Sequence, residues 1–327
     1  MAKEGIYTVL RNIAKRKRLI DVGTPAIANA EPVPFSINNF HKITRNDASL
    51  CFVDGGNNTL MLSPGRSVHM VRLYYSLFED KKIKQGRYTY IVEAEYNYGN
   101  SSYRLMIHDI DGAGILPSEM DVKESLMKDE KIRGTGAYVR RIGEWLLIEK
   151  IQDKCDFVVR DGSLQTGEAG EYEYQDRVFS KSHGIIGLSK TSTLITSTGL
   201  SLVAAVQHLA NANNVKAPWY YNPIARNMHT IKGDMYIVKL HPFAEYAFRA
   251  EIYPPQRAKE ILGALVQHSN DPIFLGYPYG LLDADINARI SDEEIKLYRN
   301  MIYEGVDDFS RLEINALNAH DIISEVK

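Results

Sequence analysis

Two strand-length apolar runs in this chain end on the same dipeptide. Ser49-Leu50-Cys51-Phe52-Val53 runs into Asp54-Gly55-Gly56, and Phe157-Val158-Val159-Arg160 runs into Asp161-Gly162-Ser163-Leu164. Each run is rich in β-branched or aromatic residues and long enough for one buried strand. A carboxylate just past the end of a buried strand sits where a sheet opens into its binding crevice. Two such carboxylates on strands lying side by side make a candidate site for a divalent metal.

The rest of the chain gives this pair a setting. At 327 residues it is long enough for one large or two ordinary domains with a real core. A composition of 44% hydrophobic and 24% charged residues is that of a soluble globular protein. The net charge of -2 exerts no global pull on nucleic acid, so any DNA contact must come from local patches. Cys51 and Cys155 are the only cysteines, which suits a reducing compartment. No run approaches the roughly 18 apolar residues of a membrane span. The basic cluster Lys15-Arg16-Lys17-Arg18 follows a short apolar stretch instead of preceding one, unlike a secretory signal. The expectation is a soluble, cytoplasmic protein with no membrane partner.

The spacing predicts a basic amphipathic helix over 3–20 and an irregular crossing segment over 21–47, punctuated by Gly23, Pro25, Pro32 and Pro34. One domain over 48–305 and a tail over 306–327 follow. Within the domain we expect a strand at 50–54, a turn at Asn57-Asn58, a return at 59–63, and strands at 67–78 and 87–98. From Pro117 to Lys150, apolar residues at three- and four-residue spacing predict a helix, broken near Gly134 and Gly136. Beyond the second Asp-Gly run come a strand at 184–188, a helix at 199–212 and a hairpin of 235–240 with 246–252. Helices follow at 255–268, in the second half of 275–290, and at 291–303. Strands first, then a helix returning to another strand, give an α/β fold with one mixed sheet flanked by helices.

Glu144, on the helix before the second run, is a third candidate carboxylate beside Asp54 and Asp161, with Glu149 competing for the role. Three carboxylates converging on one point repel each other unless a cation sits among them. Oxygen-only ligands suit Mg²⁺ or Mn²⁺, not zinc, and such a centre can support phosphodiester hydrolysis. Taken singly, an Asp-Gly end is ordinarily a turn and a helical glutamate ordinarily a solvated residue. Lys190 follows a strand and is a candidate for phosphate neutralisation, or a plain exposed lysine. Lys239 and Arg249 are expected to face each other across the hairpin, with Tyr236, His241 and Tyr246 nearby. Basic side chains interleaved with aromatics suit a single-stranded backbone with stacked bases, the alternative being an ordinary amphipathic hairpin. Asp285, after the turn Gly276-Tyr277-Pro278-Tyr279-Gly280, is either a further acid or a residue of a helix's first turn.

In this order the motifs resemble the NurA nuclease family. The matching pieces are Phe52-Val53-Asp54-Gly55-Gly56, Val159-Arg160-Asp161-Gly162-Ser163-Leu164, Gly187-Leu188-Ser189-Lys190, Tyr236-Ile237-Val238-Lys239-Leu240-His241-Pro242 with Phe248-Arg249-Ala250-Glu251, and Gly276-Tyr277-Pro278 with Ala284-Asp285. The resemblance implies an RNase H-like core and a nuclease using one or two Mn²⁺ (or Mg²⁺) ions. It also implies 5′ to 3′ exonuclease and single-strand endonuclease activity on DNA, a homodimer, and docking on a HerA-type hexameric ATPase. The implied role is end resection for recombination or, in some bacteria, phage defence. Carried over, Asp54, Glu144 and Asp161 become metal ligands. Lys190, Tyr236 and Lys239 are placed near the scissile strand, and His241 and Arg249 join them as DNA-binding candidates. The family commonly carries histidine after the alanine where this chain has Asp285.

Two other readings compete. Asp54-Gly55-Gly56-Asn57-Asn58-Thr59 also resembles the phosphate loop of actin-like ATPases and sugar kinases, which need a second domain and adenosine-binding glycine loops not recognisable here. A catalytically inactive RNase H-like scaffold that binds DNA is the other. ATP turnover would mark the first, and DNA binding without cleavage the second.

Overall fold

The computed structural model describes residues 2–15, 21–79, 82–129, 131–228 and 232–315. The expectations for Arg16 to Arg18 and for 316–327 lie outside the described residues. At the centre is an eleven-stranded mixed sheet. Its strands are β1 (Phe40–Lys42), β2 (Leu50–Leu62), β3 (Arg66–Glu79), β4 (Lys82–Asn97), β5 (Ser102–Asp109), β6 (Glu119–Lys123), β7 (Phe157–Asp161), β8 (Ile185–Ser189), β9 (Trp219–Tyr221), β10 (Asp234–Lys239) and β11 (Phe248–Tyr253). Strands β2 to β6 form an antiparallel meander in chain order. On the other side of β2 lie β7 and then β8, both parallel to it, followed by β11, β10, β9 and β1.

Helix α1 (Ala2–Ala14) precedes the sheet, and α2 (Thr135–Ile151) connects β6 to β7. Helix α3 (Tyr172–Lys181) connects β7 to β8, and α4 (Leu202–Ala212) lies between β8 and β9. Helices α5 (Ala258–Gln267), α6 (Tyr279–Ala288) and α7 (Asp292–Gly305) close the chain. Three antiparallel strands, a crossing helix, and two parallel strands on the far side of the first make up an RNase H-like core. Among the described residues no helix is long and apolar enough to cross a membrane.

Strand alternation divides the core. Cys51, Val53 and Val158 face α2, packed with Ile142 and Trp145. Leu50, Phe52, Phe157, Val159 and Leu188 face α5 and α6, packed with Leu265, Leu281 and Ala284. The next residues in this second series are Asp54 and Asp161, so the two carboxylates share the α6 face.

Several expected boundaries move. There is no turn at Asn57-Asn58: β2 runs straight through, with Asp54 opposite Tyr74 and Asn58 opposite Met70, and is irregular only between Thr59 and Met61. Pairing with β3 compensates the weak strand preference of Gly and Asn. The glycines answer to close approach. A Cβ on Gly55 would lie 2.8 Å from Glu144 Oε1, and one on Gly56 would run into the Ala288 carbonyl. The expected helix from 117 splits into edge strand β6, where Val122 is buried opposite Tyr103, and α2. A strand and a helix lying end to end had blended their periods.

Strand β1 joins the main sheet, Pro25–Ala26 pairs with Ile195–Thr196, and Glu31–Pro32 pairs with Ala225–Arg226. The crossing segment 21–47 is therefore woven into the fold rather than preceding it. The tail is helical over 308–315, with Ile314 buried, so the body continues past 305.

Candidate metal centre

The parallel register between β2 and β7 runs from Leu50 opposite Phe157 to Val53 opposite Arg160. One step further, Asp54 and Asp161 come out side by side. Asp285 reaches them from α6, which packs on the same face. Carboxylate oxygens of Asp54, Asp161 and Asp285 all lie within 4.8 Å of one another. All three residues are partly buried.

The charges are incompletely balanced. Burial first, then the charges of Glu144 and Asp161, push the Asp54 carboxyl up to about 8, against the Gly55 N–H that donates to its Oδ1 at 2.7 Å. Burial raises Asp161 as well, opposed by Lys190. Lys190, just past the end of β8, holds its Nζ 2.7 Å from Asp161 Oδ2 and 3.3 Å from Asp285 Oδ1. Burial works against this ammonium, but the two aspartates outweigh it and hold it above the usual lysine range. Arg289 pairs with the other oxygen of Asp285 at 2.9 Å. Three converging carboxylate oxygens, with burial raising the proton affinity of Asp54 and Asp161, form a donor set that fits a hard divalent cation.

Tyr277 completes the rim. Its ring lies 5.6 Å from Lys190 Nζ, and its buried hydroxyl has no hydrogen-bond partner among the described residues. Burial, then Asp161, Asp54 and Asp285, raise the pKa of that phenol. Sequence reasoning had Tyr277 in view inside Gly276-Tyr277-Pro278 without giving it a role.

No family model matches this chain, and no curated protein matches it. Among solved structures it is similar to the NurA nuclease from Sulfolobus solfataricus, with 12% identity, 92% of this chain and 93% of that chain covered, and a TM-score of 0.50. The chain has a NurA-like fold. A Ciona intestinalis Endonuclease V in complex with DNA also aligns, at 11% identity over 78% of this chain and 91% of that chain, with a TM-score of 0.40.

The NurA-like fold brings together some of the residues singled out from the sequence and separates others. Asp54, Asp161, Lys190 and Asp285 meet. Glu144 stands outside the three-carboxylate group because α2 packs on the opposite face of the sheet. It is almost fully buried, with Arg160 Nη2 2.6 Å from its Oε2 and Arg140 on its Oε1. Arg160 in turn stacks 4.7 Å over Trp145 and donates to the Ser163 carbonyl. Glu149 pairs with Arg177 and Lys181 near the surface.

The hairpin residues spread out. Arg249 lies directly opposite Ile237, not Lys239, so the two basic residues are diagonal neighbours. Alternation puts both on the face away from the aspartates, and Arg249 is half-buried in an ion pair with the fully buried Glu251. Tyr236 shares the aspartates' face and their cross-strand row, through Leu188 and Ala250. Three strand spacings separate its backbone from that of Asp161, roughly 14 Å. His241 lies just past the end of β10. A Cβ on Gly276 would lie 3.5 Å from its Cβ, which sets it beside the loop carrying Tyr277.

Glu251, named only within a motif, anchors the segment that follows Asp161. Its Oε2 accepts from Ser163 Oγ at 2.7 Å, Leu164 N at 2.6 Å and Gln165 N at 3.2 Å.

Proposed function

We propose that this chain is a metal-dependent DNA nuclease in which Asp54, Asp161 and Asp285 hold the cation. The observation that carries the reading is the convergence of three carboxylates at the point where β7 ends beside β2. A bound Mn²⁺ or Mg²⁺ supplies Lewis acidity toward a phosphodiester and lowers the pKa of water. The chain's own residues do the rest. The aspartates fix the site on a rigid sheet rather than on a loop. Lys190 turns from its aspartates to a phosphoryl oxygen as negative charge develops there. The Tyr277 hydroxyl, buried and without a partner among the described residues, donates to the same phosphate. Glu144, Arg160 and Glu251 hold the elements that present Asp161, and His241 borders the strand's path.

The resemblance extends this proposal to 5′ to 3′ resection in a cytoplasmic homodimer, Mn²⁺ preference, and a HerA-type ATPase as partner. In this proposal Tyr236, Lys239 and Arg249 are not part of the reacting centre.

The deciding experiment is cleavage of end-labelled single-stranded DNA in Mn²⁺, Mg²⁺ or EDTA by the intact chain and by Asp54→Asn, Asp161→Asn and Asp285→Asn. Cleavage that requires metal and falls by about a hundredfold or more in each variant is expected. Cleavage that persists in EDTA, or in all three variants, would sink the proposal.

A further inference from the structure

Tyr236 is displaced from the acid centre, yet it is not a simple core residue. It is 3% exposed, and its hydroxyl has no hydrogen-bond partner among the described residues. It lines a cavity of about 430 Å³ shared with His41, Tyr220, Asn222, Asp234 and Lys259, and none of the three aspartates borders it. The volume lies within the roughly 300–1,000 Å³ typical of small-molecule sites.

One wall is the start of α5. Neither this ten-residue helix nor the 3₁₀ turn Pro255–Arg257 leading into it has a side-chain cap. Pro255 has no N–H, and those of Arg257 and Ala258 donate to the Pro254 and Pro255 carbonyls, so it is the positive end of the helix dipole that favours an anion here, above all a phosphate. Lys259, in the first turn, is exposed and has no acidic partner among the described residues. Another part of the lining is aromatic. His41 stacks on Tyr220 with centroids 4.9 Å apart, and Tyr220 meets Tyr236 edge-on at 5.8 Å.

The remaining polar groups narrow the ligand. Asp234 repels a bare anion, so the ligand must carry its charge at one end and hydrogen-bond donors at the other. Asn222 offers both a donor and an acceptor, although its amide already donates to the Met235 carbonyl at 3.1 Å. An anionic end, a donor-bearing middle and a planar ring describe one class of molecule.

We propose that this cavity binds a nucleoside monophosphate, with the phosphate at the α5 N-terminus, Lys259 and the Tyr236 hydroxyl, and the base against His41 and Tyr220. Asp234 then accepts from sugar or base donors. The buried side chains of Leu188 and Ala250 separate this site from Asp161, so it stands independently of what the acid centre does.

The test is calorimetric titration of the full chain with AMP, adenosine and inorganic phosphate, all in EDTA so that no metal occupies the acid centre. Saturable binding of AMP is expected, at least tenfold tighter than that of either fragment. Tyr236→Phe and Lys259→Ala, each folded by circular dichroism, should weaken it about tenfold, while Asp54→Asn leaves it unchanged. Absence of AMP binding overturns the proposal. So does phosphate binding as tightly as AMP, which would mark a plain anion site. Binding that responds to Asp54→Asn but to neither cavity variant would overturn it as well.

Discussion

Asp54 and Asp161 stand side by side one register step beyond Val53 and Arg160, the last residues paired between β2 and β7. Parallel pairing brings the two positions together, and strand alternation turns both toward α6. Neither effect alone would make a site. A one-residue slip in register would send one carboxylate toward α2 and leave the other facing Asp285 alone.

This crowding has a stability cost that pH should reveal. Asp54 has its folded pKa raised to about 8, above the ordinary carboxylate value. Such a group contributes stability that is complete below the unfolded pKa and is lost as pH rises through the folded one. Between about pH 4 and 6.5 the buried His69 opposes this trend, so in EDTA the melting temperature should fall between about pH 6.5 and about pH 8, where Asp54 alone of the two titrates. Asp54→Asn should flatten that fall and melt several degrees higher at the alkaline end, and added Mn²⁺ should restore much of the loss in the unmodified chain only. A flat metal-free profile would contradict the crowding.

Glu144 should behave in the opposite way. It sits between Arg140 and Arg160, and removing one member of a buried ion pair leaves the others uncompensated, at a cost of about 3–5 kcal/mol. Glu144→Ala should lose that much in urea unfolding, whereas Asp54→Asn gains stability. If Glu144→Ala abolished cleavage with unfolding unchanged, Glu144 would return to the metal-ligand set.

The contrast between these two acids shows what sequence could reveal. Asp161 was readable because Asp161-Gly162 is a true strand end, with Gly162 at φ 94° where glycine is favoured. Asp54 was found for a partly wrong reason, since its strand does not stop there; pairing with β3 carries it through two glycines and two asparagines. The fold class followed from the order of strands and helix. Of the arginine partners of Glu144, Arg140 was legible one helical turn away, whereas Arg160 was out of reach, because it belongs to a strand whose register with β2 decides which face it takes. The hairpin was located correctly, but its register puts Arg249 opposite Ile237. For Asp285 the local sequence left two alternatives, a further acid or a first-turn helix residue, and only the packing of α6 onto β2 brings it beside Asp54 and Asp161.

That packing depends on Gly56. A Cβ there would meet the Ala288 carbonyl, a backbone atom that cannot rotate away. Gly56→Ala should push α6 outward, costing about 1–3 kcal/mol and drawing Asp285 from its neighbours. Weaker Mn²⁺ binding by calorimetry should accompany the lost stability. Gly65→Ala, where a Cβ meets nothing within 4 Å, is the control and should change neither.

A second titration, remote from the acid centre, runs the other way. His69 is fully buried on β3, its Nε2 2.8 Å from Ser67 Oγ and 3.0 Å from Thr135 Oγ1, and its Nδ1 3.1 Å from Thr59 Oγ1. Burial holds its imidazole down at about 4, against an ordinary 6.5. The unfolded chain therefore takes up a proton that the folded chain refuses, and stability falls as pH drops from about 6.5 toward about 4, by on the order of 3 kcal/mol. Melting temperature measured across this acid range should decline in an Asp54→Asn background, which lacks the opposing Asp54 contribution, and that background also carries the His69 substitution. In His69→Gln the decline should shrink, from a lower starting value because the hydrogen bonds to Thr59 and Thr135 are weakened. If the decline is equally steep in His69→Gln, the acid sensitivity comes from carboxylate protonation, for which Glu294, held down at about 2 by its hydrogen bond to Arg72, is the first residue to substitute.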